Sequence, residues 1–192
     1  MLSDHDEAFS YADSLFVGER VRLRATLDTD RPALAAALMD PAIRITQSRT
    51  AAPMSETAAR EMIAEWSANK GVDVGFSIET LGESPELVGH TGLFGIDAKD
   101  RSGTVGIMLL RAHLGRGYGT DALRLLVGYG FRELGLHRID LDVYGYNVRA
   151  IASYRKVGFV EEGRQREAIR HDGQWHDNVL MAILEHEWRA QR

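Results

Sequence analysis

Leu114-Gly115-Arg116-Gly117-Tyr118-Gly119-Thr120 and, about thirty residues later, Asn147-Val148-Arg149-Ala150-Ile151-Ala152-Ser153-Tyr154-Arg155-Lys156-Val157-Gly158-Phe159 decide how this chain folds. The first stretch follows an apolar run, Thr104–Leu110, that reads as a strand. It precedes a helical pattern from about Thr120 to Leu134, in which Leu123, Val127, Phe131 and Leu134 recur on one face. Alternating glycines at such a junction let a ligand approach the backbone closely, since no β-carbon intervenes. The N–H groups and partial positive charge of a helix start then suit an anion. Arg116, inside the loop, can add a charge-assisted contact to a phosphate. A glycine turn without a ligand, a nucleotide loop and another pyrophosphate-binding loop all remain open on this stretch alone. A Walker loop is disfavoured because no Lys-Ser or Lys-Thr follows the glycines. A Rossmann fingerprint is disfavoured because the third glycine comes one residue early and the loop lies late in the chain.

Working outward, Val21 and Leu23 alternate with Arg20, Arg22 and Arg24, as in a half-buried strand. Asp28 or Thr29 can cap a helix with Pro32 in its first turn and Leu34 and Leu38 on its apolar face. Ser55 can start a second helix through Met62, Ile63 and Trp66. Three strands are expected at Val74–Leu81, Glu86–Ile96 and Gly103–Leu110. After the glycine loop and its helix, Ile139, Leu141 and Val143 alternate with Asp140, Asp142 and Tyr144 as a further strand. Residues 147–157 read as a short helix closed by Gly158. Phe159–Ile169 and Trp175–Glu187 read as long strands joined by a hairpin at His171-Asp172-Gly173. The order strand, two helices, three strands, helix, strand, helix, two strands predicts a mixed α/β single domain over residues 18–192. Residues 1–17 read as an acidic, flexible arm.

Composition narrows the chemistry. The 192 residues contain no cysteine, so disulfides, thiolate metal sites and a covalent acyl-cysteine are excluded. Net charge is −5, with Asp4, Asp6, Glu7 and Asp13 in the arm, so the basic footprint of a nucleic-acid binder is missing. No apolar run approaches the roughly 18 residues of a membrane helix, and the N-terminus is not a secretory signal. A cytoplasmic protein with no membrane or nucleic-acid partner is expected. The seven His are scattered without metal-ligand spacing, so no metal is expected.

Taken together, the two stretches resemble the GNAT superfamily of acetyltransferases. The family's acetyl-CoA motif, Gln/Arg-x-x-Gly-x-Gly/Ala, is matched by Leu114 to Gly119, with Leu114 standing where Gln or Arg is usual. The family's Asn-x-x-Ala-x-x-x-Tyr-x-Lys-x-Gly-Phe is matched at every specified position from Asn147 to Phe159. Leu23-Arg24-Ala25, the run Gly158-Phe159-Val160-Glu161-Glu162-Gly163-Arg164, Asp172-Gly173-Gln174-Trp175-His176-Asp177 and Leu180-Met181 resemble the subgroup of ribosomal-protein N-terminal and spermidine acetyltransferases. The resemblance covers about residues 18–188.

It implies a mostly antiparallel, twisted central sheet flanked by helices, with strands four and five splayed apart at a bulge. It implies acetyl-CoA as co-substrate, its pantetheine arm in the gap, paired with backbone near Leu109. Leu114, Gly115, Arg116, Gly117, Tyr118, Gly119 and Thr120 would bind its pyrophosphate, and Asn147 its arm. Tyr154 holds the position of the family's general acid, and a phenol is a plausible donor to a departing thiolate. Read without the motif, Tyr154 is a packed aromatic, Asn147 a helix cap, Lys156 a solvated charge, Phe159 core, and Asp140 and Asp142 a solvated strand face.

Strand four carries no carboxylate between Thr104 and Met108, so the base is open among Glu79, His90 and Asp142. A missing base favours an acceptor of low pKa, such as an α-amine, over lysine-like amines. The acceptor is a protein N-terminus, a polyamine or another small amine. Its pocket is expected between the two N-terminal helices and the long hairpin, with Trp66, Trp175, His171 and His176 as lining candidates. A homodimer is common in similar proteins. The competing function is a coenzyme A-binding sensor without catalysis.

Overall fold

The computed structural model describes residues 5–48 and 52–191. Among them, seven strands form one sheet in the order β1-β2-β3-β4-β5-β7-β6. The strands are β1 (Val21–Arg24), β2 (Val74–Thr80), β3 (Leu87–Asp97), β4 (Ser102–Leu109), β5 (Arg138–Tyr144), β6 (Val160–His171) and β7 (Gln174–Leu184). Neighbours are antiparallel except β4 and β5, which run parallel. The helices are α1 (His5–Phe16), α2 (Arg31–Met39), α3 (Pro41–Gln47), α4 (Glu56–Trp66), α5 (Tyr118–Arg132), α6 (Val148–Val157) and α7 (Glu185–Ala190). None of them is long and apolar enough to cross a membrane.

Strand alternation sends β4 side chains to two cores. Val105, Ile107 and Leu109 pack with Leu123, Leu126, Val127 and Phe131 of α5. Met108 joins Leu34 and Leu38 of α2, Ile43 of α3 and Ile63 of α4 on the opposite face. The sheet is therefore covered on both sides, and a site at its centre lies between two rigid layers.

The parting of β4 from β5 follows from their other partners. They pair over three residues only, from Ser102 opposite Arg138 to Thr104 opposite Asp140. Past that point β5 stays in register with β7, while β4 stays with β3. The β3–β4 register is unbroken from Phe94↔Thr104 to Gly89↔Leu109. The splay thus needs no bulge in β4, contrary to expectation; the irregularity lies between Phe94 and Asp97.

Other differences from expectation have local causes. The arm contains helix α1, whose Phe16 ring lies 5.8 Å from Phe76 and 5.5 Å from Tyr129. Its Tyr11 donates to Glu133 and lies under Arg132, 4.5 Å from ring to guanidinium. A lone amphipathic segment gains its helix from this packing on α5. Helix α3 was missed, although Asp40-Pro41 signals it: the Asp40 carboxylate accepts from the Ala42 N–H at 2.8 Å, with Pro41 in the first turn. Strand β7 ends at Leu184 rather than Glu187. There the Glu187 carboxylate accepts from the Leu184 N–H at 2.9 Å and starts α7, which buries Trp188 against Phe131. The hairpin turn is as expected, with Asp172 and Gly173 both at positive φ (47° and 74°), the form Asp-Gly favours.

Candidate active site

A cavity of about 870 Å³ opens where β4 and β5 part. Its β4 wall is an unpaired strand edge. The Leu110 N–H donates to the Val88 carbonyl, so with a period of two the polar groups of Met108 and Gly106 also face β3. Those of Ile107 and Leu109 face the gap instead. Backbone donors and acceptors do not stay bare in a protein interior. Gln47, from α3, donates to the Ile107 carbonyl at 2.9 Å. Leu109 is the next edge position available to an extended ligand lying like a strand.

The glycine loop borders the same cavity. Leu114, Gly115, Gly117, Tyr118, Gly119 and Thr120 all line it. Gly115 and Gly117 stand at φ +77° and +84°, and a β-carbon on Gly115 would meet nothing within 4 Å. Gly117 caps α5 without a side-chain bond, leaving first-turn N–H groups for a ligand. These residues fit a pyrophosphate: an open, left-handed backbone cradle at a helix start. Arg116 is exposed and outside the lining. Another arginine stands at the loop: a β-carbon on Gly117 would lie 3.6 Å from Arg20 Nε. Arg20 is held there by the Asp121 carboxylate, which accepts from its backbone N–H at 2.8 Å. Its neighbours Arg22 and Arg24 are committed to Glu79, and Arg24 also to Asp30. The sequence signal for Arg20 was only its place in an alternating run.

Helix α6 supplies the opposite wall. Asn147 Oδ1 accepts from the Ala150 N–H at 3.3 Å, capping the helix, and the residue also lines the cavity. With its oxygen so used, its NH₂ group is the part available to a ligand. Tyr154 and Asp142 line the cavity together. Burial, reinforced by the Asp142 charge, pushes the Tyr154 phenol up to about 12. A phenol so shifted stays protonated at neutral pH and can donate. Asp142 is solvent-exposed, as expected of a strand-face carboxylate, and it also borders the cavity close enough to act on the Tyr154 phenol.

The other base candidates separate clearly. Glu79 accepts from Arg22 at 2.6 Å and Arg24 at 2.8 Å and is outside the cavity lining; burial pushes its carboxyl up, but Arg24 and Arg22 together hold it below the usual range. His90 lines the cavity, is 2% exposed and lies 3.1 Å from Ser67 Oγ through Nε2. Burial pushes it down to about 4, so it is neutral at pH 7. Of the expected acceptor-pocket residues, Trp66 lines the cavity. Trp175, His171 and His176 are outside the lining: Trp175 is 58% exposed, and the two imidazoles pack on Tyr146 at 4.8 and 4.9 Å. Tyr146 in turn donates to the Ile45 carbonyl, so the hairpin supports α3 from outside the cavity.

Comparison with known proteins agrees with this geometry. The acetyltransferase (GNAT) domain family matches residues 20–160. "Probable N-acetyltransferase YjcK" of Bacillus subtilis is 35% identical over 128 residues, covering 65% of this chain and 70% of that protein. The spermidine N(1)-acetyltransferase of Escherichia coli K12 is 33% identical over 116 residues, 60% of this chain and 61% of the other. The crystal structure of spermidine N-acetyltransferase from Vibrio cholerae in complex with CoA and spermine is similar at a TM-score of 0.77 and 25% identity, covering 88% of this chain and 98% of that one.

Proposed function

Because this chain belongs to the GNAT family of N-acetyltransferases, we propose that it moves an acetyl group from acetyl-CoA to a primary amine by direct attack in a ternary complex. The observation that carries the reading is the gap itself: an unpaired β4 edge at Leu109, between an uncapped glycine helix start and the Tyr154 phenol. We assign the transferase unit to residues 18–192. Acetyl-CoA supplies an activated acyl carbon, so one C–N bond forms as one C–S bond breaks. In this reading the glycine loop, with Arg20, holds the pyrophosphate, and Leu109 pairs the extended arm. A gap-facing N–H on β4 serves the carbonyl oxygen as negative charge develops there. Asn147 donates to the arm through its NH₂. Tyr154 gives its proton to the departing sulfur, and the proton lost by the amine passes to the cavity water or to Asp142. No cysteine is present to carry the acyl group, which favours direct attack over a cysteine-linked intermediate.

The experiment is a free-thiol release assay with an amine panel, beside calorimetric titration of coenzyme A. For Tyr154→Phe, turnover is expected to fall about 100-fold, with coenzyme A affinity kept within twofold. Unchanged turnover would remove Tyr154 from the chemistry. Binding without turnover on any amine would leave the sensor reading in its place.

A further inference from the structure

One wall of the cavity is apolar and is built by elements other than the glycine loop, and it bears on the acceptor's chemistry. That wall comes from α2, α3, α4 and the β3–β4 face: Leu38, Ile43, Met54, Met62, Trp66 and Met108 all line it. Leu38, Ile43 and Met108 are buried, while Met54, Met62 and Trp66 are half-buried. Methionine is unbranched and polarizable, so a wall of this kind adapts to a linear apolar group.

Charge on the lining is sparse and one-sided. Among the described lining residues, Asp142 is the single carboxylate. It is solvent-exposed where it borders the cavity and acts on Tyr154, and it belongs to β5 rather than to the apolar wall. The other charges are the cations Arg44, Arg149 and Lys156, Arg44 lying on α3 against Ser48. His90, on the β3 side, is neutral.

A polyamine bound here would bring several ammonium groups into a pocket with one carboxylate. Each further cation removed from water without an anionic partner is strongly disfavoured. An amine with a single positive charge meets no such penalty: its ammonium faces Asp142 and its apolar part meets the methionines and Trp66.

Resting on the transferase reading above, we propose that the acceptor is a monoamine whose amino group adjoins one apolar substituent of about leucine or methionine size, with its nitrogen set between Asp142 and Tyr154. The same chemistry occurs at the start of a peptide that begins with such a residue and in a free small amine.

The test measures kcat/KM by thiol release at saturating acetyl-CoA. The acceptors are methioninamide, leucinamide, glycinamide, spermidine, and short peptides that begin with Met or Gly. Methioninamide or the Met peptide is expected to exceed its glycine counterpart at least tenfold, and spermidine to fall below both. A peptide-over-amide preference assigns the substrate to protein N-termini; equal rates assign it to small amines. Met62→Ala should lower kcat/KM for methioninamide severalfold more than for glycinamide, a change of ratio that a general loss of structure would not produce. Asp142→Asn should raise KM for the amine at least tenfold while coenzyme A affinity is kept. Preferred turnover of spermidine, or equal turnover of methioninamide and glycinamide, would overturn the proposal and leave the transferase reading standing. No thiol release from any amine would overturn both.

Discussion

At Asn147 one residue serves two ends: Oδ1 accepts from the Ala150 N–H in the first turn of α6, and the residue also lines the cavity, where its NH₂ group remains to donate. Arg20 shows the reverse economy. Two sister arginines on the same strand are used up in ion pairs, while Arg20 is left against the glycine loop. Arg20→Ala is therefore expected to weaken coenzyme A binding about tenfold, the size of one lost charge-assisted hydrogen bond. Amine KM should be unchanged, Arg20→Lys should restore part of the affinity, and the effect should shrink at high salt. Titration calorimetry at two ionic strengths checks this. The Tyr154 phenol leads to a second expectation. Since it is pushed up to about 12, it loses its proton only at strongly alkaline pH. The profile of kcat/KM should rise as the acceptor amine deprotonates and show no falling limb from Tyr154 below about pH 11.

Between elements, the decisive joint is the one from β1 to the start of α5. Asp121, in the first turn of α5 and 5% exposed, accepts from the N–H groups of Arg20 at 2.8 Å, Val21 at 3.1 Å and Glu19 at 3.3 Å. Gly18 lets the strand start come this close, since a β-carbon there would lie 2.6 Å from the carboxylate. The carboxylate is also well placed at a helix N-terminus. Asp121→Ala strands these donors and should cost about 3 kcal/mol in urea unfolding. It should also weaken coenzyme A binding, because the register of Arg20 against Gly117 is lost with it. A stability loss with unaltered cofactor affinity would separate the joint from the proposed pyrophosphate cradle. On the other face, Phe94 lies over Gly92 and Gly106, where β-carbons would come within 2.5 and 2.8 Å of its ring. These glycines make room for the Phe94 ring, which lies 6.0 Å from Trp66, and both residues line the cavity.

Across the whole molecule, two apolar layers enclose the sheet, and His90 is sealed on the α4 face. Its imidazole titrates near 4 when folded and near 6.5 when unfolded. The unfolded chain therefore binds a proton that the native state refuses between those values. Stability should fall as pH drops from about 6.5 to about 4, by up to about 3 kcal/mol, and level off below. His90→Gln should flatten that slope, as read from urea midpoints at several pH values. An unchanged slope would place the acid sensitivity elsewhere.

What the sequence by itself determined is what depends on neighbours along the chain. The glycine loop, the Asn147 cap, the Asp-Gly hairpin and the alternation of the strands are short-range facts, set by backbone freedom and by periods of 2 and 3.6. They placed Leu109, Leu114, Gly115, Gly117, Tyr118, Gly119, Thr120, Asn147 and Tyr154 on the right elements, and the structure gathers these around one cavity. Helix α1 was not legible because its stability comes from α5, more than a hundred residues away. The tertiary structure alone decided which charged groups meet. It tied Glu79 to Arg22 and Arg24, brought Arg20 to the glycine loop beside Gly117, and set the exposed Asp142 near Tyr154. It also decided that Leu38, Ile43, Met54, Met62, Trp66 and Met108 meet on the cavity lining. Such partnerships join residues far apart in the chain, and they are set by which strand edges remain paired once β4 and β5 part.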